Sequence, residues 1–152
     1  MTAILNLDLQ PLDMKTYSPI TLAFVGDAVY ELLVRQYIVQ HMNAPANKLH
    51  LKAVEKVCCT FQSASVSRIE AMLNENEADI FRRGRNSSTQ RVPKNAKPVE
   101  YRRATGLEAL FGYLYLKGEN GRIQQLFQKI IEDDGESGQA SATEKTDARQ
   151  LR

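Results

Sequence analysis

The chain has 152 residues, 43% hydrophobic and 25% charged, with 20 basic against 18 acidic side chains. That balance describes one globular domain able to bury a core without disulfides or a structural metal. The two cysteines, Cys58 and Cys59, are adjacent and lack metal-finger spacing, which points to a reducing, cytoplasmic setting. No apolar run is long enough for a membrane span, and the N-terminus carries no secretory signal pattern.

Charge is unevenly spread. From Arg82 to Arg103 there are eight basic residues against one acid, Glu100, a local charge of +7. From Glu132 to Arg152 there are six acids against three bases. A basic patch on a near-neutral chain suggests a polyanionic partner, and a solvated basic loop is the plainer alternative.

In chain order, Ser18-Pro19 predicts a helix start, with serine at the cap and proline at the first helical position. The helix that follows is apolar around most of its circumference, so it is expected to be central and buried. Asn43-Ala44-Pro45 ends it. A second helix is expected over Asn47 to Thr60, with Leu51, Val54, Val57 and Cys58 inward. A third covers Ser63 to Leu73, with Ala64, Ile69 and Leu73 inward, and a fourth covers Glu75 to Arg83. Gly84 to Pro98 has two prolines and no apolar period, so it reads as a long basic loop. A fifth helix runs from Val99 to Lys117 and ends at Gly118; a sixth runs from Gly121 to Glu132 with Ile123, Leu126 and Ile130 inward. The expected fold class is all-α, with six to seven helices. The expected division is an N-terminal segment over 1–16, a domain over 17–133 and a disordered polar tail over 134–152.

Two acids stand in apolar surroundings. Asp27 lies in LAFVGDAVYELLV and Glu108 in TGLEALFGYLYL. A buried carboxylate needs a cation, a hydrogen-bond partner or a raised pKa. Each acid has helix-interior glycines beside it, Gly26 for Asp27 and Gly106 and Gly112 for Glu108. Glycine weakens a helix interior by about 1 kcal/mol relative to alanine, and a close crossing of two helix backbones would offset that. Helices one and five are therefore expected to cross there with the two carboxylates facing each other. Glu31, four residues after Asp27, shares its face and is a candidate for the outer shell of the site. Three carboxylates at one crossing would suit magnesium. Internal ion pairs with arginines such as Arg35 or Arg102 are the competing reading.

Phe24-Val25-Gly26-Asp27-Ala28-Val29 resembles the signature of the ribonuclease III family, whose core reads Glu-Phe-Leu-Gly-Asp. Thr105-Gly106-Leu107-Glu108-Ala109-Leu110-Phe111-Gly112 resembles the second family motif, Asp-x-x-Glu-Ala-Leu-x-Gly. The likeness spans Tyr17 to Glu132. Two of the four usual metal-site acids are replaced, by Ala23 and Thr105. The reduced acid set, the missing room for a double-stranded RNA-binding domain and the Arg82-Arg83-Gly84-Arg85-Asn86 run are similar to the Mini-III branch.

The resemblance implies a ribonuclease III-type helical domain, a homodimer with two active sites, and Mg2+-dependent hydrolysis of double-stranded RNA, with Mn2+ as a substitute ion. It implies catalysis and metal binding by Asp27 and Glu108. It also implies a role in maturing the 23S ribosomal RNA precursor. RNA contacts are expected from Arg82, Arg83, Arg85, Asn86, Arg91, Lys94, Lys97, Arg102 and Arg103. The alternative is a catalytically inert RNA-binding relative. Tyr101, Tyr113 and Tyr115 are expected in core or dimer packing, and His41 and His50 at the surface.

Overall fold

The computed structural model describes residues 13–87 and 92–147, with residues 15 and 136–147 as backbone only. Among the described residues the fold is all-helical. Six helices follow in order: α1 (Pro19–His41), α2 (Ala46–Val57), α3 (Cys59–Ile69), α4 (Glu75–Asn86), α5 (Pro98–Leu116) and α6 (Asn120–Asp147). Two short 3-10 turns, Met14–Thr16 and Glu70–Met72, precede α1 and follow α3.

The helix ends follow local chemistry. Ser18 caps α1, its side chain accepting from the Thr21 amide at 3.2 Å, with Pro19 behind it. Asn74 and Glu77 form a reciprocal capping box at the start of α4. Gly118, at φ +75, turns the chain out of α5 in the left-handed conformation that glycine adopts without strain. Cys58 is extended and divides the expected second helix into α2 and α3. It is exposed at this junction, so the expectation of a core cysteine is corrected.

Helix α5 is the centre of the fold, packing against α1, α4 and α3. Leu107, Ala109, Leu110 and Phe111 of α5 and Ile123, Leu126 and Ile130 of α6 are fully buried. Tyr30 of α1 meets Phe111 and Phe127 edge-on, with ring centroids 5.6 and 6.0 Å away. Full burial of aliphatic or aromatic side chains stabilises by about 1.5–3 kcal/mol each, which makes this cluster the main support of the fold.

Three inward faces differ from expectation. Helix α1 buries Leu22, Ala23, Val29, Tyr30, Val34 and Ile38, while Phe24 is 82%, Val39 58% and Leu32 50% exposed. It is buried on one side only, and its apolar far side faces outward. On α2, Leu51 and Val54 are exposed and the small Ala53 makes the buried contact. On α3, Ala64 is exposed while Gln62, Ser63, Ser65 and Val66 are buried. The inner face of α3 is mixed: Ile69 is buried as expected and Leu73 packs against the core, but Gln62, Ser63 and Ser65 are buried beside them and Ala64 is not.

Helix α4 continues three residues past its expected end, so Arg85 and Asn86 are helical and the loop starts at Ser87. The polar stretch from residue 134, expected as a disordered tail, continues the backbone of α6 through Asp147. Extending an existing helix is far easier than starting one, and this stretch has no proline. Asp134 accepts from Lys56 at 2.5 Å, and Arg68 donates to the Ile130 carbonyl at 2.9 Å, fastening α6 to α2 and α3. Residues 148–152 lie outside the described residues.

Candidate active site and basic face

Gly26 and Gly112 allow α1 and α5 to touch through their backbones. A Cβ on Gly26 would lie 1.6 Å from the Glu108 carbonyl oxygen, and one on Gly112 would lie 1.9 Å from that of Leu22. Gly106 serves a different contact from the one expected. A Cβ there would lie 2.7 Å from the Phe81 ring on α4, and one on Gly84 would lie 2.7 Å from the Ala109 side chain. Gly84 is thus a packing residue of the α4–α5 contact, not the first residue of a loop.

The α1–α5 crossing places Asp27 and Glu108 on the wall of one cavity of about 600 Å³. Ala23, Thr105, Gln62 and Tyr101 share that wall, and Pro93, Asn95 and Ala96 of the α4–α5 loop close over it. Tyr101 therefore faces the cavity, whereas Tyr113 and Tyr115 pack against the main core. Among the described residues neither Asp27 nor Glu108 has a salt-bridge partner. Arg35 instead holds Glu31, at 2.6 Å. Glu31 is off the cavity wall, and no three His, Cys, Asp or Glu side chains gather into a metal-binding cluster among the described residues. The crossing brings together two carboxylates.

Their electrostatics follow from that isolation. Glu108 is pushed up to about 7 by burial and then by the charge of Asp27, with the Gln62 amide acting in the opposite direction. Asp27 is raised by burial and then by Glu31. Burial and a neighbouring like charge thus act together on Glu108. Two acids that repel each other, with no salt-bridge partner among the described residues, present oxygen ligands to a cation. Thr105, on the same wall, donates its hydroxyl proton to the Tyr101 carbonyl at 3.1 Å.

The structure divides the expected RNA-contact residues into two groups. Arg82, Arg83, Asn86, Lys94, Lys97 and Arg102 are exposed. Arg82 also pairs with Asp79, and Lys97 lies 3.9 Å from Glu100. Arg85 is half-buried, its guanidinium over the Phe81 ring and its Nε donating to Asn86. Arg103 is engaged inside the fold, donating to the Ser63 carbonyl and to Ser67 Oγ and so joining α5 to α3. Arg91 lies outside the described residues. His41 and His50 are exposed, as expected, and the His41 ring lies against Tyr37 at the end of α1.

Residues 20–119 match the family model described as Ribonuclease III domain. The chain belongs to the ribonuclease III family. Curated relatives named Mini-ribonuclease 3 include that of Thermoanaerobacter sp. (strain X514), 47% identical over 76% of this chain and 81% of that protein. That of Clostridium tetani is 41% identical over 84% of this chain and 85% of that protein. Among solved structures, a Fusobacterium nucleatum protein superposes with a TM-score of 0.73 at 30% identity, covering 80% of this chain and 98% of that one. Ala23 and Thr105 both stand on the cavity wall with Asp27 and Glu108.

Sequence reading missed Gln62 and Asn95 on that wall. Neither carries a local signal, because each reaches the cavity only through the packing of α3 and the fold of the loop.

Proposed function

We propose that this ribonuclease is an Mg2+-dependent endonuclease that hydrolyses double-stranded RNA as a homodimer, in the maturation of the 23S ribosomal RNA precursor in the cytoplasm. The catalytic domain is 17–133, fastened by Asp134. The observation that carries the reading is the pairing of Asp27 and Glu108 on one cavity wall with no cationic partner among the described residues. The double-strand specificity, the ion and the RNA precursor rest on the resemblance of the two motifs, and the names of the relatives support a ribonuclease.

Asp27 and Glu108 would hold the cation, with Mn2+ able to replace Mg2+. When bound, such an ion supplies an activated water and positive charge for the phosphate in the transition state. The chain's own residues bind and orient. Asp27, exposed at the cavity mouth, presents a carboxylate to solvent and substrate. Glu108, deeper, contributes its charge once a cation balances it. Ala23 and Thr105 add no charge, so water and phosphate oxygens must complete the shell, and a weaker ion affinity than in four-acid relatives follows. Glu31 acts from outside the wall, through its charge on Asp27.

Duplex RNA displays phosphates and 2′-hydroxyls across a shallow minor groove, which suits a basic face rather than base-reading side chains. Arg82, Arg83, Arg85, Asn86, Lys94, Lys97 and Arg102 would supply it, with Arg91 in the same run. Arg103, committed to α3, would contribute through the fold. The homodimer is supported by Phe24, 82% exposed on the cavity rim, and by Leu32, Val39, Leu51 and Val54 on the outer sides of α1 and α2. Phe24 is the bulkiest of these, and burial against a second copy would remove it from water.

Incubation with a long RNA duplex in Mg2+, and then in chelator, tests the reading. Cleavage restricted to Mg2+ supports it. Salt-sensitive binding without cleavage would instead favour the catalytically inert RNA-binding relative, for which Ala23 and Thr105 speak. A solution mass of one chain at working concentration would remove the homodimer.

A further inference from the structure

We infer that Gln62 is a positioning residue for Glu108: its side-chain amide, reaching in from α3, fixes the Glu108 carboxylate in the orientation that faces Asp27 across the cavity. The inference rests on the metal-dependent reading above and adds to it a residue from a helix that neither family-like motif includes.

Gln62 is 1% exposed. A primary amide carries two N–H donors, and burying them without partners is costly. Buried glutamines therefore usually spend their amide on backbone carbonyls or neighbouring polar groups. The Nε2 of Gln62 does not: it is fully buried with no hydrogen-bond partner among the described residues. Its neighbours on α3 are committed elsewhere, with Ser65 donating to the Phe61 carbonyl and Ser67 accepting from Arg103.

What Gln62 faces is the cavity wall that carries Asp27 and Glu108. Glu108 is the acid it acts on, near enough to offset part of the effect of burial on that carboxyl. The amide thus lines the same cavity as the carboxyl with its buried N–H donors unspent. A hydrogen bond from that amide to the ionised carboxyl is charge-assisted and about twice as strong as a neutral one. One Glu108 oxygen would then be held by Gln62, leaving the other directed into the cavity. At a site where Ala23 and Thr105 supply no carboxylates, few other groups can fix that orientation. Groups that orient metal-binding side chains typically alter affinity or activity 10- to 100-fold when removed.

The test compares Gln62→Met, which keeps the volume and removes the amide, with the native chain. Mn2+ binding is measured on the RNA-free protein by water-proton relaxation. Thermal unfolding, duplex RNA affinity in chelator and the Mg2+ midpoint of cleavage are measured alongside. The expected result is a folded protein with native RNA affinity in chelator, roughly tenfold weaker Mn2+ binding and a Mg2+ midpoint raised to match. A purely structural glutamine would lower the melting temperature and leave both ion measurements unmoved, and that result overturns the inference. Gln62→Asn, whose amide is one methylene too short, repeats the test if the methionine variant does not fold. Loss of fold in both variants also overturns it, because orientation of Glu108 is not a folding requirement. A native chain that neither binds Mn2+ nor cuts duplex RNA defeats the functional reading itself. Native activity with unaffected variants defeats only the role of Gln62.

Discussion

Gly26 lies against the backbone of Glu108 so closely that a single methyl group on it would fall 1.6 Å from the Glu108 carbonyl oxygen. That contact sets the approach of the two helices that carry the acids. Gly26→Ala is expected to destabilise by at least the ~1–3 kcal/mol typical of overpacking, since backbone cannot rotate away as a side chain can. Gly121, early in α6, meets nothing within 4 Å, and Gly121→Ala should be neutral or stabilising by up to about 1 kcal/mol. Urea unfolding of the two variants gives the contrast. Equal stabilities would refute the crossing.

Asp27→Asn should abolish cleavage while leaving the fold intact. Asp27 is exposed and has no ion-pair partner among the described residues, so unfolding stability should stay within about 0.5 kcal/mol of native. Duplex binding in chelator should also persist. Cleavage at the native rate by this variant would exclude Asp27 from the reaction.

Glu108 gives the cation-free protein a distinctive pH dependence. Its carboxyl sits at about 7 in the fold against an ordinary value of 4.5, so between those pH values the native state holds more protons than the unfolded chain. Stability should therefore fall as pH rises through that window and level off above it. Saturating Mn2+ should reverse the trend, because the cation favours the ionised carboxylate. Denaturant melts in chelator from pH 4 to 8 measure this, and Glu108→Gln should flatten the curve. An identical slope in that variant would assign the effect to another group.

Glu77 behaves in the opposite sense. Burial acts to raise its pKa, but the Arg122 hydrogen bonds, the Asn74 backbone N–H and the Arg122 charge outweigh it, and the net shift is downward from 4.5. Its contribution is present above that value and is lost as pH falls through the lowered one. Arg122 donates to both Glu77 oxygens and to the Met72 carbonyl, tying the start of α6 to α4. Removing one partner of a buried ion pair costs about 3–5 kcal/mol, so Arg122→Ala should be severely destabilising. A melting temperature close to native would contradict this.

Exposed and engaged arginines should separate experimentally. The combined charge reversal of the exposed Arg83, Lys94 and Arg102 should weaken duplex RNA binding and reduce its salt slope by about one per lost phosphate contact, with little loss of stability. Arg103→Ala should instead lower stability, because it releases the Ser63 carbonyl and Ser67 Oγ. Unchanged RNA affinity after the triple reversal would remove this face from substrate binding.

The sequence by itself determined that the fold is helical, the helix ends at Ser18 and Gly118, the buried triplet Ile123, Leu126 and Ile130, and the two acids with Gly26 and Gly112 beside them. Those features are local: a cap, a 3.6-residue period and a glycine in a helix each leave a mark within a few residues. Tertiary structure decided what depends on neighbours distant in the chain. It buried Gln62, Ser63 and Ser65 of α3 beside Val66 and Ile69 and so brought Gln62 to the cavity. It assigned Gly84 and Gly106 to the α4–α5 contact, gave Glu31 to Arg35 and committed Arg103 to α3. It left Phe24 exposed on a helix whose composition alone suggested full burial. A side chain's partner is chosen by packing across the whole domain, and packing has no period along the sequence.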